Sequence, residues 1–366
     1  LIRVAIIGAG SIGCHLAFSC RKNGWNVIVF DTSEVALERL KSELYPKRYG
    51  SWDPEIKIHK MSMFQHSLVS DFDAILIGTP PDTHVEVLHQ CISLEPKVIM
   101  IEKPLCPPNE QQIETLRSIF STNLEIKFLA GYNHRVSRIM NELKRAWERH
   151  GALPVTKIEV NWLEDWSGIL NAHPWLRGPE DSYLGFTDRG GGALFEHSHG
   201  LDLWLHLANF FGIGNPKKIE ARTSTDTNKK DLLSCEQEIE IEIQTDKGFV
   251  GSVYQDVRTN PAIKQVNVSD SRFSYVLDFH IQDTSDRIRI IDSRNGEIIS
   301  EVFFTKKRFA DFDEEIYEIE RLLSHSEDLL QVFSPLDAVS GLKTAEIGRI
   351  CLIAAEEKRM VIVGHL

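Results

Sequence analysis

Arg3-Val4-Ala5-Ile6-Ile7-Gly8-Ala9-Gly10-Ser11-Ile12-Gly13 is a short apolar run that ends in three spaced glycines. A helical stretch follows over Cys14–Asn23, closed by Gly24, and a second apolar run, Val27–Phe30, ends at Asp31. The order is strand, glycine turn, helix, strand, acid, and each part has a physical task. Gly8 permits the tight turn, Gly10 lets the backbone approach a pyrophosphate, and Gly13 lets the helix pack close to the strand. The helix N-terminus offers free N–H groups to phosphates, so Ser11 and Ile12 join the glycines as expected contacts. Asp31 lies 23 positions after Gly8, where a carboxylate accepts the ribose hydroxyls of NAD and repels a 2′-phosphate. NAD is therefore expected in preference to NADP, although the neutral neighbours Thr32 and Ser33 add nothing to that preference. A glycine turn alone is common; the complete unit carries the inference.

The alternation continues. Glu34–Leu44 has a helical pattern, and Asp73–Ile77 reads as a strand ending in Gly78-Thr79-Pro80-Pro81. Thr83–Leu94 reads as a helix, and Val98–Ile101 as a strand ending in Glu102-Lys103-Pro104. Glu110–Ser121 is a further helix, and Lys127–Ala130 a strand ending in Gly131-Tyr132-Asn133. Alternating β and α elements imply a parallel sheet with right-handed crossovers, whose ligands bind beyond the carboxyl ends of the strands. The clusters Thr79–Thr83, Glu102–Lys103 and Asn133–Arg135 fall at those ends and are expected to converge on one crevice. Thr79, Pro80, His84, Glu102, Lys103 and Asn133 are thus expected around the cofactor, His84 with a capping role.

The bulk numbers set limits. At 366 residues the chain suits two domains. Forty-one basic against 53 acidic residues give a net charge of -12, which argues against nucleic acid, since that requires a basic face. No run approaches the roughly 20 apolar residues of a bilayer span. The first residues read as a strand and not as a signal peptide, and a start at Leu1 suggests that an initiator Met, or more, is missing. The six cysteines (14, 20, 91, 106, 235 and 351) form no C-x-x-C pair. They are expected to be reduced core thiols, a usage that favours the cytoplasm.

Glu102-Lys103-Pro104, placed about 100 residues after the glycine turn with Thr79-Pro80-Pro81-x-x-His84 between, resembles the glucose–fructose oxidoreductase / inositol dehydrogenase / MocA (Gfo/Idh/MocA) family. So do Gly131-Tyr132-Asn133-His134-Arg135 and the run from Gly190 through His199 to Asp202. The resemblance implies a Rossmann domain followed by a second α/β domain with an open, mainly antiparallel sheet, which in relatives often forms an oligomer interface. A homo-oligomer, dimer or tetramer, is thereby expected. The family's catalytic lysine falls on Lys103 and its catalytic histidine on His199. Many relatives carry an aspartate four residues before that histidine, where this chain has Phe195 and places Glu196 next to it. The Glu196-x-Ser198-His199-x-x-Asp202 form resembles a subgroup associated with surface-sugar and amino-sugar pathways, by analogy only.

Hydride transfer between nicotinamide and a carbinol carbon leaves one proton to manage, and histidine titrates near neutrality. His199 is the expected general acid/base, with Lys103 as ammonium steadying the alkoxide. Pro104 holds Lys103 extended. Glu196–Phe211 reads as one helix, with Leu201, Trp204, Leu205 and Ala208 on an apolar stripe. Glu196, His199, Asp202 and His206 lie on another stripe, where Glu196 suits the helix start and Asp202 is placed to fix the His199 ring. A metal held by Glu196, His199 and His206 is conceivable but not expected, because hydride transfer needs none. Arg135, Trp175, Tyr183, Glu196 and Asp202 are candidate substrate contacts; Arg135 serves equally well as a structural cap, and Trp175 and Tyr183 as loop anchors.

The second half alternates as half-buried strands over Val155–Trp162, Cys235–Ile243, Phe249–Val257, Phe273–Ile281, Arg287–Ile291 and Ile298–Phe304, with an Asn295-Gly296 turn. Thr223–Asp231 reads as a polar loop, and Asp311–Ser324 and Leu336–Lys358 as helices. The expected division is a Rossmann domain over 1–131, a substrate and oligomerisation domain over 132–335, and a C-terminal helix and tail over 336–366 near the Rossmann domain. The expected activity is NAD-dependent oxidation or reduction of a hydroxyl or ketone on a sugar-like molecule. Two rivals are sugar epimerisation or hydrolysis with tightly bound, recycled NAD, and dinucleotide sensing without catalysis.

Overall fold

The computed structural model describes residues 1–64, 71–225, 233–281, 284–307, 309–324 and 332–364. The chain forms two compact units: Leu1–Cys106 with Glu110–Asn133 and Phe309–Leu342, and Pro107–Asn109 with His134–Arg308 and Lys343–Leu366.

The first unit contains β1 (Arg3–Ile7), α1 (Ser11–Lys22), β2 (Asn26–Asp31), α2 (Glu34–Arg39), α3 (Tyr45–Tyr49), β3 (Lys57–Lys60), β4 (Ala74–Ile77), α4 (His84–Ile92), β5 (Val98–Glu102), α5 (Glu110–Thr122) and β6 (Lys127–Gly131). Its six strands lie in the order β3-β2-β1-β4-β5-β6, and all pair in parallel. The apolar runs of β1, β4 and β5 do not alternate because their side chains are buried throughout, as in a sheet covered on both faces. The order reverses between β1 and β4, which opens the ligand crevice at the ends of those strands.

The helix expected over 34–44 runs further. A π-helical segment at Leu40–Leu44 joins α2 to α3, and Pro46, which has no N–H to give to the preceding turn, lies just past it. β3 escaped the pattern because Lys57-Ile58-His59-Lys60 has one apolar residue.

The second unit holds α6 (Arg138–Arg149), β7 (Val155–Leu163), α7 (Trp166–Asn171), α8 (Gly192–Glu196), α9 (His199–Phe210), β8 (Pro216–Thr225), β9 (Glu236–Thr245), β10 (Val250–Asp256), β11 (Ile263–Asp270), β12 (Phe273–Ile281), β13 (Ser285–Asp292) and β14 (Ile298–Thr305). Beyond them come α10 (Ala310–Ser324), α11 (Ala338–Glu357) and β15 (Val361–Ile362). The sheet order is β14-β13-β12-β11-β7-β10-β9-β8-β15. β10 and β7 pair in parallel and the other neighbours antiparallel. Along β9, Ile239, Ile241 and Ile243 are buried, while Glu240 and Glu242 are exposed. Thr223–Thr225, expected to begin a loop, complete β8; the remainder of that stretch lies outside the described residues.

Two boundaries differ from the sequence pattern. The first unit ends at Asn133, two residues past the expected limit, and it also takes in Phe309–Leu342. The reason lies in α10, which buries Phe312, Ile316, Ile319 and Leu322. Phe312 stacks on His15 of α1 at 4.8 Å, and Phe309 packs on Phe18. The chain then joins the edge of β6, where Ala130 donates to Leu336 O at 2.7 Å. Helical periodicity shows that α10 buries a face but not what covers it. No helix among the described residues is long and apolar enough to cross a membrane. All six cysteines are buried and unpaired with one another.

Candidate active site

At the end of β1 the chain turns at Gly8, whose φ of 110° disfavours any side chain. A Cβ at Gly8 would lie 2.7 Å from Gly78 O at the end of β4, and one at Gly13 would overlap Gly8 O. A Cβ at Gly10 would meet nothing within 4 Å. The two outer glycines are thus fixed by packing, and the middle one faces open space, as approach of a phosphate requires. Gly10 caps α1 without a side-chain acceptor, which leaves the N–H groups of the first turn for an anion.

Asp31 ends β2 and holds this loop. Its Oδ2 accepts from Ala9 N–H at 2.8 Å and its Oδ1 from Ser33 N–H at 2.7 Å. Each oxygen keeps a second lone pair for a ribose hydroxyl. Two cations that no sequence motif marks sit nearby. Arg48 of α3 donates to Ser11 O and Oγ, both at 2.9 Å. Arg39 of α2 is partly buried, which lowers its pKa, and the Asp31 charge opposes that fall. The residues present therefore fit NAD.

The β4 end carries Thr79 and Pro80, where Thr83 Oγ1 donates to Thr79 Oγ1 at 2.9 Å and to Pro80 O at 2.8 Å. His84 is fully buried. Its Nε2 donates to Thr79 O at 2.8 Å and its Nδ1 lies 3.2 Å from Leu105 O, so it ties the β4 turn to the segment after β5. Burial lowers its pKa and keeps the ring neutral. Glu102 ends β5 against Gly131, where a Cβ would lie 2.8 Å from its carboxyl carbon. Lys103 follows, half-buried, and its peptide bond to Pro104 is cis. Lys103 N–H donates to Glu102 Oε2 at 3.3 Å. Burial pushes the Glu102 carboxyl up to about 7, with Lys103 pulling it down. Asn133, half-buried, begins the turn after β6.

Glu315 on α10 is a further buried acid that no sequence motif marks. It is 0% exposed, and neither carboxylate oxygen has a hydrogen-bond partner among the described residues. Burial raises its pKa well above the usual carboxyl range, and the charges of Glu102 and Asp311 add to the rise. Nothing in the pattern of α10 separates this buried acid from its solvated neighbours.

In the second unit, the helix expected over Glu196–Phe211 is two helices, α8 and α9, broken at His197–Ser198. The break is filled by Gln255 of β10, which is 0% exposed. Its Nε2 lies 2.9, 3.1 and 2.9 Å from the carbonyls of Ala193, Leu194 and His197, and its Oε1 accepts from Leu201 N–H at 3.0 Å. Glu236 braces the other end of α8 by accepting from Leu194 N–H at 2.8 Å. Gly192 is required there because a Cβ would strike the Glu236 carboxylate.

The break changes two expected roles. Glu196 ends α8 instead of starting a long helix, so no N-terminal dipole favours it. It accepts a hydrogen bond from Tyr183 Oη at 3.0 Å, which brings two candidate substrate contacts together. Asp202 does not hold the His199 ring in the manner expected. Its carboxylate takes Arg135 Nε at 2.8 Å, a second bond from Arg135 Nη2, and Thr344 Oγ1 at 2.9 Å. Arg135 and Asp202 are 2% and 1% exposed, a buried bidentate pair that braces the turn before α6 against α9. His206 is held neutral, burial lowering its pKa to about 3 with Arg135 and Lys144 acting in the same direction. Trp175 packs edge-on to His173 at 5.3 Å.

His199 begins α9 and is half-buried. The neighbour the sequence did not single out is His134, whose ring centroid is 4.6 Å away. Trp162 of β7 lies 5.7 Å from His199 and 5.0 Å from His134. The site therefore sets an imidazole at a helix start against an aromatic wall, an arrangement suited to moving a proton.

Residues 2–124 match the GFO_IDH_MocA family, described as an oxidoreductase family with an NAD-binding Rossmann fold. No curated protein sequence matches the chain. Among solved structures, a levoglucosan dehydrogenase in complex with NADH and levoglucosan is 17% identical, with full coverage of both chains and a TM-score of 0.73. A myo-inositol dehydrogenase from Corynebacterium glutamicum ATCC 13032 is also 17% identical, covering 100% of this chain and 99% of its own, with a TM-score of 0.70. The WlbA dehydrogenase from Bordetella pertussis, in complex with NADH and UDP-GlcNAcA, is 15% identical over 99% and 98%, with a TM-score of 0.70. The chain is an oxidoreductase that resembles this family over residues 2–124. Its cofactor is NAD.

Proposed function

We propose that the protein transfers a hydride to or from a hydroxyl or ketone carbon of a sugar or sugar-like molecule, with His199 as general acid/base and Lys103 as electrostatic partner of the reacting oxygen. The observation that carries this reading is the placement of His199. Its imidazole opens α9 at a break built by Gln255, half-exposed and backed by Trp162 and His134. Bound NAD supplies the hydride acceptor or donor. In the oxidative direction His199 takes the hydroxyl proton, and the Lys103 ammonium stabilises the negative charge that develops on oxygen. Tyr183 and Glu196, joined by their hydrogen bond, and Trp175 form polar and aromatic candidates for holding a pyranose or cyclitol ring. Arg135 and Asp202 spend their charges on each other and act as a brace.

The test is NADH formation with a panel of cyclitols, anhydrosugars and nucleotide sugars. Net NADH release with one of them is expected, and His199→Ala is expected to lower kcat by about 10²–10⁴-fold with NADH affinity unchanged. Unchanged turnover in His199→Ala removes the assignment. Product formation without NADH release favours internal recycling of the cofactor.

A further inference from the structure

His280 sits where a regular strand would not put it. β12 and β13 lose register between Asp278 and Ile281, and within that irregularity His280 adopts φ of +56°. This is the left-handed region, uncommon outside glycine and entered more often by asparagine, aspartate and histidine than by other residues, and here the surroundings hold it. The His280 N–H donates to Asp286 Oδ1 at 2.9 Å, and Asp286, 2% exposed, is paired through its other oxygen with Lys306 at 2.9 Å.

The consequence is geometric. Successive side chains of a strand point to opposite faces, yet both Phe279 and His280 reach the ring of His134, at centroid distances of 5.2 Å and 5.6 Å. Only the bulge permits this, and re-aiming a side chain is what bulges do beside functional sites. The result is three imidazoles in series: His280 half-buried, His134 buried between Trp162 and Phe279, and His199.

We infer that His280 is a positioning residue for His199, acting through His134: the bulge places a third imidazole so that it fixes the orientation of the His134 ring, and thereby that of the ring on α9. The inference rests on the acid/base role proposed for His199. Glycine and asparagine accept φ of +56° as histidine does, so either can replace His280 and remove the ring while keeping the backbone.

His280→Asn and His280→Gly both tolerate the backbone, and the full chain carrying either is compared with wild type at fixed pH by ¹⁵N spectra of labelled histidine rings, thermal unfolding and NADH binding. His199→Ala and His134→Asn assign the resonances, with His84 of the other unit as internal control. The expected result is an unchanged or higher Tm, unchanged NADH affinity, and displaced ring-nitrogen resonances for both His134 and His199 while His84 stays in place. Unmoved His199 resonances in both variants overturn the inference. So does a fall in Tm with all resonances collapsing together, which marks a fold residue. A failure of the acid/base reading is read separately, from turnover retained by His199→Ala, and does not depend on these spectra.

Discussion

Asp31 is expected to set cofactor choice by more than its charge. Its two hydrogen bonds to Ala9 and Ser33 shape the glycine turn, and it lies close enough to Arg39 to oppose the effect of burial there. Asp31→Ala removes the expected ribose acceptor and one of the two carboxylates acting on Arg39, with Glu43 remaining, so that repulsion of a 2′-phosphate near that guanidinium weakens. NADH affinity is expected to fall about tenfold, a loss on the order of 1.5 kcal/mol from hydrogen bonds, while NADPH affinity rises. Parallel fluorescence titrations check this, and equal changes for the two nucleotides would refute it. Glu315 makes a second residue-scale prediction. Burial raises the Glu102 carboxyl from 4.5 to about 7 and pushes Glu315 upward as well. A raised folded-state pKa contributes stability that is present below the unfolded value and is lost as pH rises through the folded one. Stability is therefore expected to decline from about pH 4.5 to 7 and beyond. Glu315→Gln removes a proton-binding site and the repulsion on Glu102, with Lys103 and Asp311 left in place. Its Tm should match wild type at low pH and exceed it at pH 8; a constant difference across the range would contradict this.

At the scale of elements, the parts legible in the sequence are those whose physics is local. The glycine turn, the acid at the end of β2 and the buried runs of β4 and β5 announce themselves through composition and period. Lys103 and His199 were legible through motifs. The break between α8 and α9 was not, because a helix period of apolar residues runs straight through it, and what interrupts it is Gln255, more than fifty positions along the chain. The same is true of Asp202, whose partner Arg135 comes from 67 residues away, and of His280, whose reach depends on a bulge that no alternation pattern encodes. Gln255→Ala is expected to cost about 3 kcal/mol, since it strands several buried carbonyls and an N–H. Tm should fall accordingly, and kcat should fall with it because the break sets the start of α9. A variant as stable as wild type would mean that the helices hold their own junction.

For the whole molecule, the two units divide the expected work. The unit built on the six-stranded sheet holds the glycine turn, Asp31 and Lys103, and the unit built on the nine-stranded sheet holds His199 and its aromatic surroundings. The return of Phe309–Leu342 to the first unit brings Glu315 into it. The expected 132–335 domain could not foresee this, because the amphipathic period of α10 does not name its partner. The dinucleotide site comes first, and its most direct test is a fluorescence titration of the purified, unmodified protein with NADH and with NADPH. Saturable NADH binding and much weaker NADPH binding are expected. Binding of neither nucleotide, or equal binding of both, would contradict the NAD site at Gly8–Gly13 and Asp31.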